Sequence, residues 1–233
     1  FATLINEYNT NMGQQPYFRP KSQGGAGLPE EQPTYDRMAY VWRTANLGDY
    51  NVSIDGGSSK TNYYMAVGHN NQQSIWNPID FKRTGAKNNL NTKLGNRVTI
   101  GSSNTLSAVS RGPGKAANGP DGTILQSSLN IPTNLPIFDD KGTPLIWGTP
   151  DNIAVITDKS NITSKTARYI GNLHIDVDIA QDLKLKSNWG LDYTNFDESE
   201  FWETDTKLGA PPVNGYASSS ITRLVNWFNE QTI

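Results

Sequence analysis

The sequence predicts an all-β fold, and within that class a fragment of the wall of an antiparallel transmembrane β-barrel, with long external loops and a short helix in the first loop. Apolar and polar residues alternate along several consecutive stretches, as in strands that have one dry and one wet face. Short turns and very long connections also alternate along the chain. Outer-membrane barrels combine short turns at one end with long loops at the other.

The composition agrees with strands that have one polar, hydrated face. Of the 233 residues only 35% are hydrophobic, and the mean hydropathy is -0.58. No run of about 18 apolar residues occurs, which excludes helical membrane spans but not barrel strands, whose hydropathy signal is weaker. The 20 Lys and Arg against 22 Asp and Glu give a net charge of -2, which argues against a nucleic-acid partner. The absence of cysteine excludes disulfides and thiolate metal sites.

Residues 1–49 are predicted to form an external loop. Apolar residues in LINEYNTNMG recur at a helical spacing until Gly13, which predicts one short helix. The following Gly, Pro and Gln residues up to position 36 are typical of loops. The segment TYDRMAYVWRTA fits either a short helical turn or an extended lead into the first strand.

Residues 50–233 are predicted to be a partial barrel of about six strands and the start of a seventh. Two hairpins in residues 50–107 turn at GGSSK and at Gly95-Asn96, and a third hairpin turns near Gln181-Asp182. In the first strand the alternation sets Tyr50, Val52 and Ile54 against Asn51, Ser53 and Asp55. Across the third hairpin, Asp176 and Asp178 are expected near Lys184 and Lys186.

Two long loops are predicted, in residues 108–164 and 195–216. The first is rich in proline and in Asn-Gly and Asp-Gly turn signals, and the second carries an acidic group in residues 197–205. The sequence stops inside the pattern of the last strand, which suggests a fragment of a longer protein.

Several motifs are similar to those of the SusC/RagA family of TonB-dependent outer-membrane transporters, and the resemblance runs along essentially the whole chain. YNVSIDGGSSKTNYYMAVGHNNQQ resembles an early barrel hairpin of that family, and KRTGAKNNLNTKLGNRVTIGSSNTLS resembles the next one. DLKLKSNWGLDY is similar to a later hairpin, and NGYASSS with NWFNEQT to the entry into a further strand. His69, where an aromatic residue is more usual, and Asp55, where small polar residues are common, depart from the pattern.

The resemblance implies a parent barrel of 22 strands with a plug in its lumen. The plug, the TonB box and the remaining barrel are absent from these residues. It also implies active import of a glycan or peptide across the outer membrane of a Gram-negative bacterium, by a multi-pass barrel in contact with lipid and lipopolysaccharide. The implied partners are a SusD-like surface lipoprotein and the TonB complex, which would act through the missing N-terminal region.

No catalytic constellation is found in the sequence. His69 and His174 are the two histidines, and neither lies in an HExxH, GxSxG or comparable motif, so the protein is predicted not to be an enzyme and to need no cofactor. The acidic group at 197–205 offers oxygen ligands of the kind that Ca²⁺ takes, but it lacks the EF-hand spacing. Solvated loop charge is the preferred interpretation.

Two sets of residues are candidates for functional roles. The polar positions of the strands should face the lumen, where packing against wall or plug competes with substrate contact: Arg83, Lys87, Asn89, Arg168, His174, Asp176, Asp178, Lys184 and Lys186. Aromatic residues of the external loops offer rings that stack on a sugar or hold a peptide side chain, although loop packing and interface girdles use the same residues: Trp76, Trp147, Trp202 and Tyr216.

Two other classes of protein share the alternation. A soluble all-β carbohydrate-binding module would bury its apolar face inside and would not need long loops at one end only. A small passive outer-membrane pore would need a strand that closes an eight-stranded barrel. The asymmetry of the loops favours the large barrel.

Overall fold

The computed structural model describes residues 1–112, 124–146 and 151–233, which divide into two compact units. The sheet unit comprises Thr44–Pro113, Asn161–Phe201 and Ala217–Ile233. The connection unit comprises Phe1–Arg43, Gly114–Ser160 and Trp202–Tyr216. The connection unit therefore assembles three segments that are far apart in the sequence.

The sheet unit is a meander of seven strands in which neighbours in sequence are neighbours in space. The strands are β1 (Leu47–Gly57), β2 (Thr61–Gln73), β3 (Asp80–Leu94), β4 (Val98–Gly112), β5 (Ser160–Ala180), β6 (Leu183–Trp202) and β7 (Tyr216–Thr232). The first four pairings are antiparallel, and the two-residue turn at 181–182 joins β5 to β6 as a hairpin. The predicted antiparallel all-β fold is thus confirmed.

One face of the sheet is apolar because the register aligns the apolar positions of successive strands. Val52 lies opposite Val67 between β1 and β2, and Leu106 lies opposite Tyr169 between β4 and β5. In an ordinary soluble protein such residues would be buried, yet Val52 is 76% exposed and Val67 is 59% exposed. An uncovered apolar face of this extent is what a barrel wall presents to lipid.

The connections differ in length at the two ends of the strands. One end carries tight turns, where Gly95 and Asp182 adopt the left-handed conformation with φ of 68° and 67°. The other end carries the six residues 74–79 between β2 and β3 and the much longer links from β4 to β5 and from β6 to β7. The asymmetry predicted from the sequence is present.

In its described residues the connection unit has four short α-helices: α1 (Ala2–Asn11), α2 (Arg37–Val41), α3 (Ile124–Asn130) and α4 (Ile153–Lys159). α1 is the helix expected before Gly13, and the segment containing α2 takes the helical alternative, with Asp36 accepting hydrogen bonds from the amides of Met38 and Ala39. Most of the fully buried apolar side chains among the described residues belong to this unit: Phe18, Val41, Ile124, Ile153, Ala154, Val155, Ile156 and Trp202. None of the described helices has the length and apolar character to cross a membrane.

The predicted loop boundaries are wrong at several strand ends. β4 continues to Gly112 and β5 begins at Ser160, so the loop assigned to 108–164 is shorter and contains two helices. β6 runs to Trp202, inside the loop assigned to 195–216. β4 and β5 stay paired as far as Arg111 and Ser164. The neighbouring strand satisfies the backbone hydrogen bonds, so the strands persist where side-chain alternation fades.

Candidate functional site

The polar face of the sheet brings together all nine residues that were predicted to face the lumen. The register connects Lys87 to Thr105 and Thr105 to Ile170, which places the odd positions of β3 and the even positions of β5 on the same face. Ion pairs extend this face to the even positions of β6. That the face lines a lumen remains a prediction.

Charged residues on β5 and β6 pair with each other across the hairpin. Arg168 donates from Nε and Nη2 to the two carboxylate oxygens of Asp192, at 3.0 and 2.7 Å. Lys184 Nζ lies 3.9 Å from Asp176 and 3.8 Å from Asp178, as expected from the sequence. The opposite charges of these groups compensate each other within the sheet, so their contacts support a structural role.

His174 also has a packing role. A Cβ added to Gly101, its partner on β4, would lie 2.1 Å from Cε1 of His174. The imidazole therefore covers a glycine, and no substituent larger than hydrogen fits beneath the ring in this position. Similar coverage occurs at Gly190, under the ring of Phe228 on β7.

Charged residues on β3 differ from those on β5 and β6. Arg83 and Lys87 are exposed, and within residues 1–112, 124–146 and 151–233 neither side chain has a hydrogen-bonding or ion-pair partner. Asn89, by contrast, accepts a hydrogen bond of 2.8 Å from Ser103 Oγ. Arg83 and Lys87 thus keep their full capacity for an external anion, and they flank one groove, whereas Lys93 and Lys186, the other cations of this face without a side-chain partner among the described residues, do not line it.

This groove lies between Arg83 and Lys87. At its centre Gly68 and Gly85 lie directly opposite each other on β2 and β3. The side-chain oxygen of Asn51 covers Gly68, 2.4 Å from where a Cβ would stand, whereas no side chain covers Gly85, which forms the floor. The groove encloses about 460 Å³, within the usual range for small-ligand sites of roughly 300–1,000 Å³. Its polar lining consists of Asp49, Asn51, His69, Asn70, Gln72, Arg83, Lys87 and Thr105.

The sequence-based prediction missed Asp49, Asn51 and Asn70 as groove residues. A signal for them existed, since Gly68 and Gly85 both occupy polar-face positions of the alternation, where a missing side chain leaves a depression. The register of the strands was needed to show that the two glycines coincide.

The four aromatic candidates have different surroundings. Trp202 is 1% exposed, so its indole presents no ring face to a ligand here, and of the two roles predicted for it, burial supports packing. Trp76 is half-buried in the six-residue link after β2, and Tyr216, at the start of β7, is 37% exposed. Trp147 lies outside the described residues. A ligand contact at Trp76 or Tyr216 remains a prediction.

The acidic group in residues 197–205 does not gather around a common point. Asp197 and Glu200 lie in β6, whereas Glu203 and Asp205 both form ion pairs with Lys159. The hydrogen bond to Asp205 raises the pKa of Lys159 above its usual value. Across the described ranges, no three His, Asp or Glu side chains cluster in a way that could hold a metal ion.

Buried polar groups in the connection unit stabilise its loops. Asp151 is 2% exposed and accepts a 2.8 Å hydrogen bond from the Lys207 amide. Burial raises the pKa of Asp151, and the hydrogen bond from Lys207 only partly offsets this effect. Burial likewise lowers the pKa of Arg37, whose guanidinium donates to three main-chain carbonyls.

Comparisons with known proteins agree with the geometry of the sheet unit. No family model matches the chain. TonB-dependent receptor P26 of Formosa agariphila is 23% identical over 215 residues, which cover 88% of this chain and 21% of that protein. The RagAB peptide transporter superposes with a TM-score of 0.64 at 19% identity, and the RagAB peptide importer in its 'closed-closed' and 'open-open' states with TM-scores of 0.63 and 0.64 at 18%.

The resemblance to TonB-dependent transporters is confirmed. Each RagAB superposition covers 83% of this chain and 22% of the matched chain. The chain thus spans about a fifth of the length of the receptor and of the RagAB chains that it matches. Its seven-stranded meander has the fold of a stretch of TonB-dependent transporter barrel.

Proposed function

We propose that this chain is a stretch of barrel wall in a SusC/RagA-like transporter that actively imports an oligomeric nutrient across the outer membrane of a Gram-negative bacterium. The observation that carries the proposal is the seven-stranded meander with an uncovered apolar face, together with its superposition on RagAB. In this proposal the apolar face contacts lipid and lipopolysaccharide, and the polar face lines the path of the cargo.

The mechanism consists of binding, occlusion and gated release, without covalent chemistry on the cargo. A SusD-like surface lipoprotein captures the cargo, a plug closes the lumen, and the TonB complex pulls on the plug from the inner membrane. The chain itself supplies the wall. Its ion pairs, such as Arg168 with Asp192, keep the polar face hydrated and hold the charged side chains in place. The parent barrel is proposed to have 22 strands.

Peptides are the favoured cargo because the solved structures that the chain resembles are those of a peptide importer and transporter. Oligosaccharides are the second candidate, and the half-buried indole of Trp76 is of the type that stacks on a sugar ring. The soluble carbohydrate-binding module is disfavoured, since it would have to cover residues such as Val52 that are exposed here.

Uptake by whole cells tests the proposal. Cells that express the complete transporter should accumulate fluorescent oligopeptides, or oligosaccharides if these are the cargo, and lose uptake when the TonB complex is deleted. Uptake that survives this deletion would indicate a passive pore. Recovery of the complete protein in the soluble fraction, folded and without detergent, would indicate the soluble module.

A further inference from the structure

The groove at Gly68 and Gly85 is lined by two cations that have no side-chain partner among the described residues. Arg83 and Lys87 stand on either side of Gly85 on one strand, with Cα atoms about 13 Å apart at a strand rise of about 3.3 Å per residue. Side chains of this length can converge over Gly85, which no side chain covers. Arg168 and Lys184, on the same face, are already paired with carboxylates.

One acidic residue shares the groove. Asp49 accepts a 2.7 Å hydrogen bond from Nδ2 of Asn51, and no salt bridge joins it to either cation among the described residues. Two cations against one carboxylate leave the groove with one positive charge in excess. The amide oxygen Oδ1 of Asn70 is buried without a hydrogen-bonding partner in the described part of the chain.

The groove also has an apolar end. Phe81, two residues before Arg83, lines this end of the groove. The guanidinium of Arg111, on β4, lies over the Phe81 ring, with its Cζ 5.5 Å from the ring centroid. The arrangement is thus a pair of cations on either side of Gly85, next to an aromatic ring that Arg111 contacts. Such a site suits an anionic group attached to an organic body, because the ring can contact the body while the cations bind the charge.

We propose that this groove is a subsite for a carboxylate group of the transported cargo, bound by Arg83 and Lys87, with Phe81 contacting the adjacent part of the molecule. The inference rests on the proposed function, since it requires the polar face to line the transport path. Arg83 would take the carboxylate in a bidentate fork, and Lys87 would contribute a point charge.

Site-directed thiol chemistry tests the groove without knowledge of the natural cargo. Thr105 lies opposite Lys87, and residues 1–233 contain no cysteine. In the complete transporter, with any cysteine elsewhere replaced, Thr105→Cys is treated with an anionic ethylsulfonate or a cationic trimethylammonium methanethiosulfonate reagent. Asn91→Cys, exposed on the same face and four positions beyond Lys87, is the matched control, in a Lys93→Gln background because Lys93 is the next cation on that face.

At low ionic strength the anionic reagent should react faster than the cationic one at Thr105→Cys, by at least about tenfold relative to the ratio at Asn91→Cys. The double variant Arg83→Gln with Lys87→Gln should abolish this preference, whereas Lys186→Gln should not. Acetate should slow the modification at Thr105→Cys more than chloride does at the same ionic strength. It should also slow it more than acetamide, its neutral analogue.

Four results would overturn the subsite: equal reagent preference at the two cysteines, a preference that survives the double variant, equal protection by acetate and acetamide, or no reaction with either reagent. The uptake assay separates this outcome from failure of the proposed function. Energised uptake with no anion preference would leave the transporter proposal standing and remove the subsite.

Discussion

Arg37 Nη2 donates a 2.7 Å hydrogen bond to the main-chain carbonyl of Leu135, 98 positions later in the sequence. The same guanidinium donates to the carbonyls of Pro132, at 2.6 Å, and Ile131, at 3.3 Å. Arg37 is 2% exposed. One side chain therefore fixes the backbone of residues 131–135 to the segment that contains α2.

Replacing Arg37 with alanine should loosen residues 131–135. Each buried carbonyl that loses its donor costs about 1–3 kcal/mol. In the complete protein, hydrogen exchange of the amides in 131–135 should accelerate. Arg37→Lys should recover only part of the protection, because an ammonium group cannot reproduce the planar fork. Lys141→Ala, at an exposed position, is the control, and exchange as slow in Arg37→Ala as in this control would contradict the prediction.

Asn152 should not tolerate an isosteric aspartate. Its Nδ2 donates to the carbonyls of Ile137 and Leu145, and its Oδ1 accepts from the Ala154 amide at the start of α4. Asn152→Asp replaces two donors with an acceptor that faces two carbonyls inside a buried site. Thermal unfolding should show a larger loss of stability than Asn152→Ala. A smaller loss would mean that the donors of Asn152 contribute little.

Asp151 should make stability depend on pH. Its pKa is raised by burial, so the folded state binds the proton more tightly than the unfolded state, whose carboxyl pKa is about 3.9. The free energy of unfolding should therefore fall, relative to that of Asp151→Asn, as the pH rises from about 3.9 to the raised pKa. Unfolding of both proteins across this range measures the difference. A difference that stays constant, or changes in the opposite direction, would exclude a raised pKa.

The two faces of β4 should respond differently to charge. Leu106 is 55% exposed on the apolar face, and Ser107 is its neighbour on the polar face, opposite Arg168. Leu106→Asp should reduce insertion into the outer membrane, at a cost of up to about 2–4 kcal/mol depending on depth. Ser107→Asp should insert normally. The amount of heat-modifiable barrel in outer-membrane fractions reports the outcome, and equal damage from both changes would show that the faces are assigned wrongly.

Alternation in the sequence predicted the sheet well because its cause is local. A strand sends successive side chains to opposite faces, so Ile175 and Asp176 reveal their faces without knowledge of any neighbour. The contacts of Lys184 with Asp176 and Asp178 followed from the same rule applied to a hairpin. Strand ends were predicted less well, since pairing with the adjacent strand, and not side-chain pattern, decides where they lie.

The connection unit could not be predicted from the sequence because its contacts are not local. Nothing in the pattern around Arg37 or Trp202 indicates that one binds carbonyls near residue 135 or that the other is buried in a shared core. The groove has the same character. Gly68 and Gly85 each look like ordinary strand glycines until the register places them side by side.

The shared core of the connection unit has a consequence for chimaeric transporters. Because Arg37 binds the backbone near residue 135, and Lys159 pairs with Asp205, residues 1–43, 114–160 and 202–216 act as one transplantable part. Grafting the long link between β4 and β5 alone onto another barrel would leave the carbonyls of residues 131–135 without Arg37, and Lys159 without Asp205. Recombination that transfers all three segments together would instead keep these contacts. Recombination between strands of the sheet need only preserve the strand register and the face to which each side chain points.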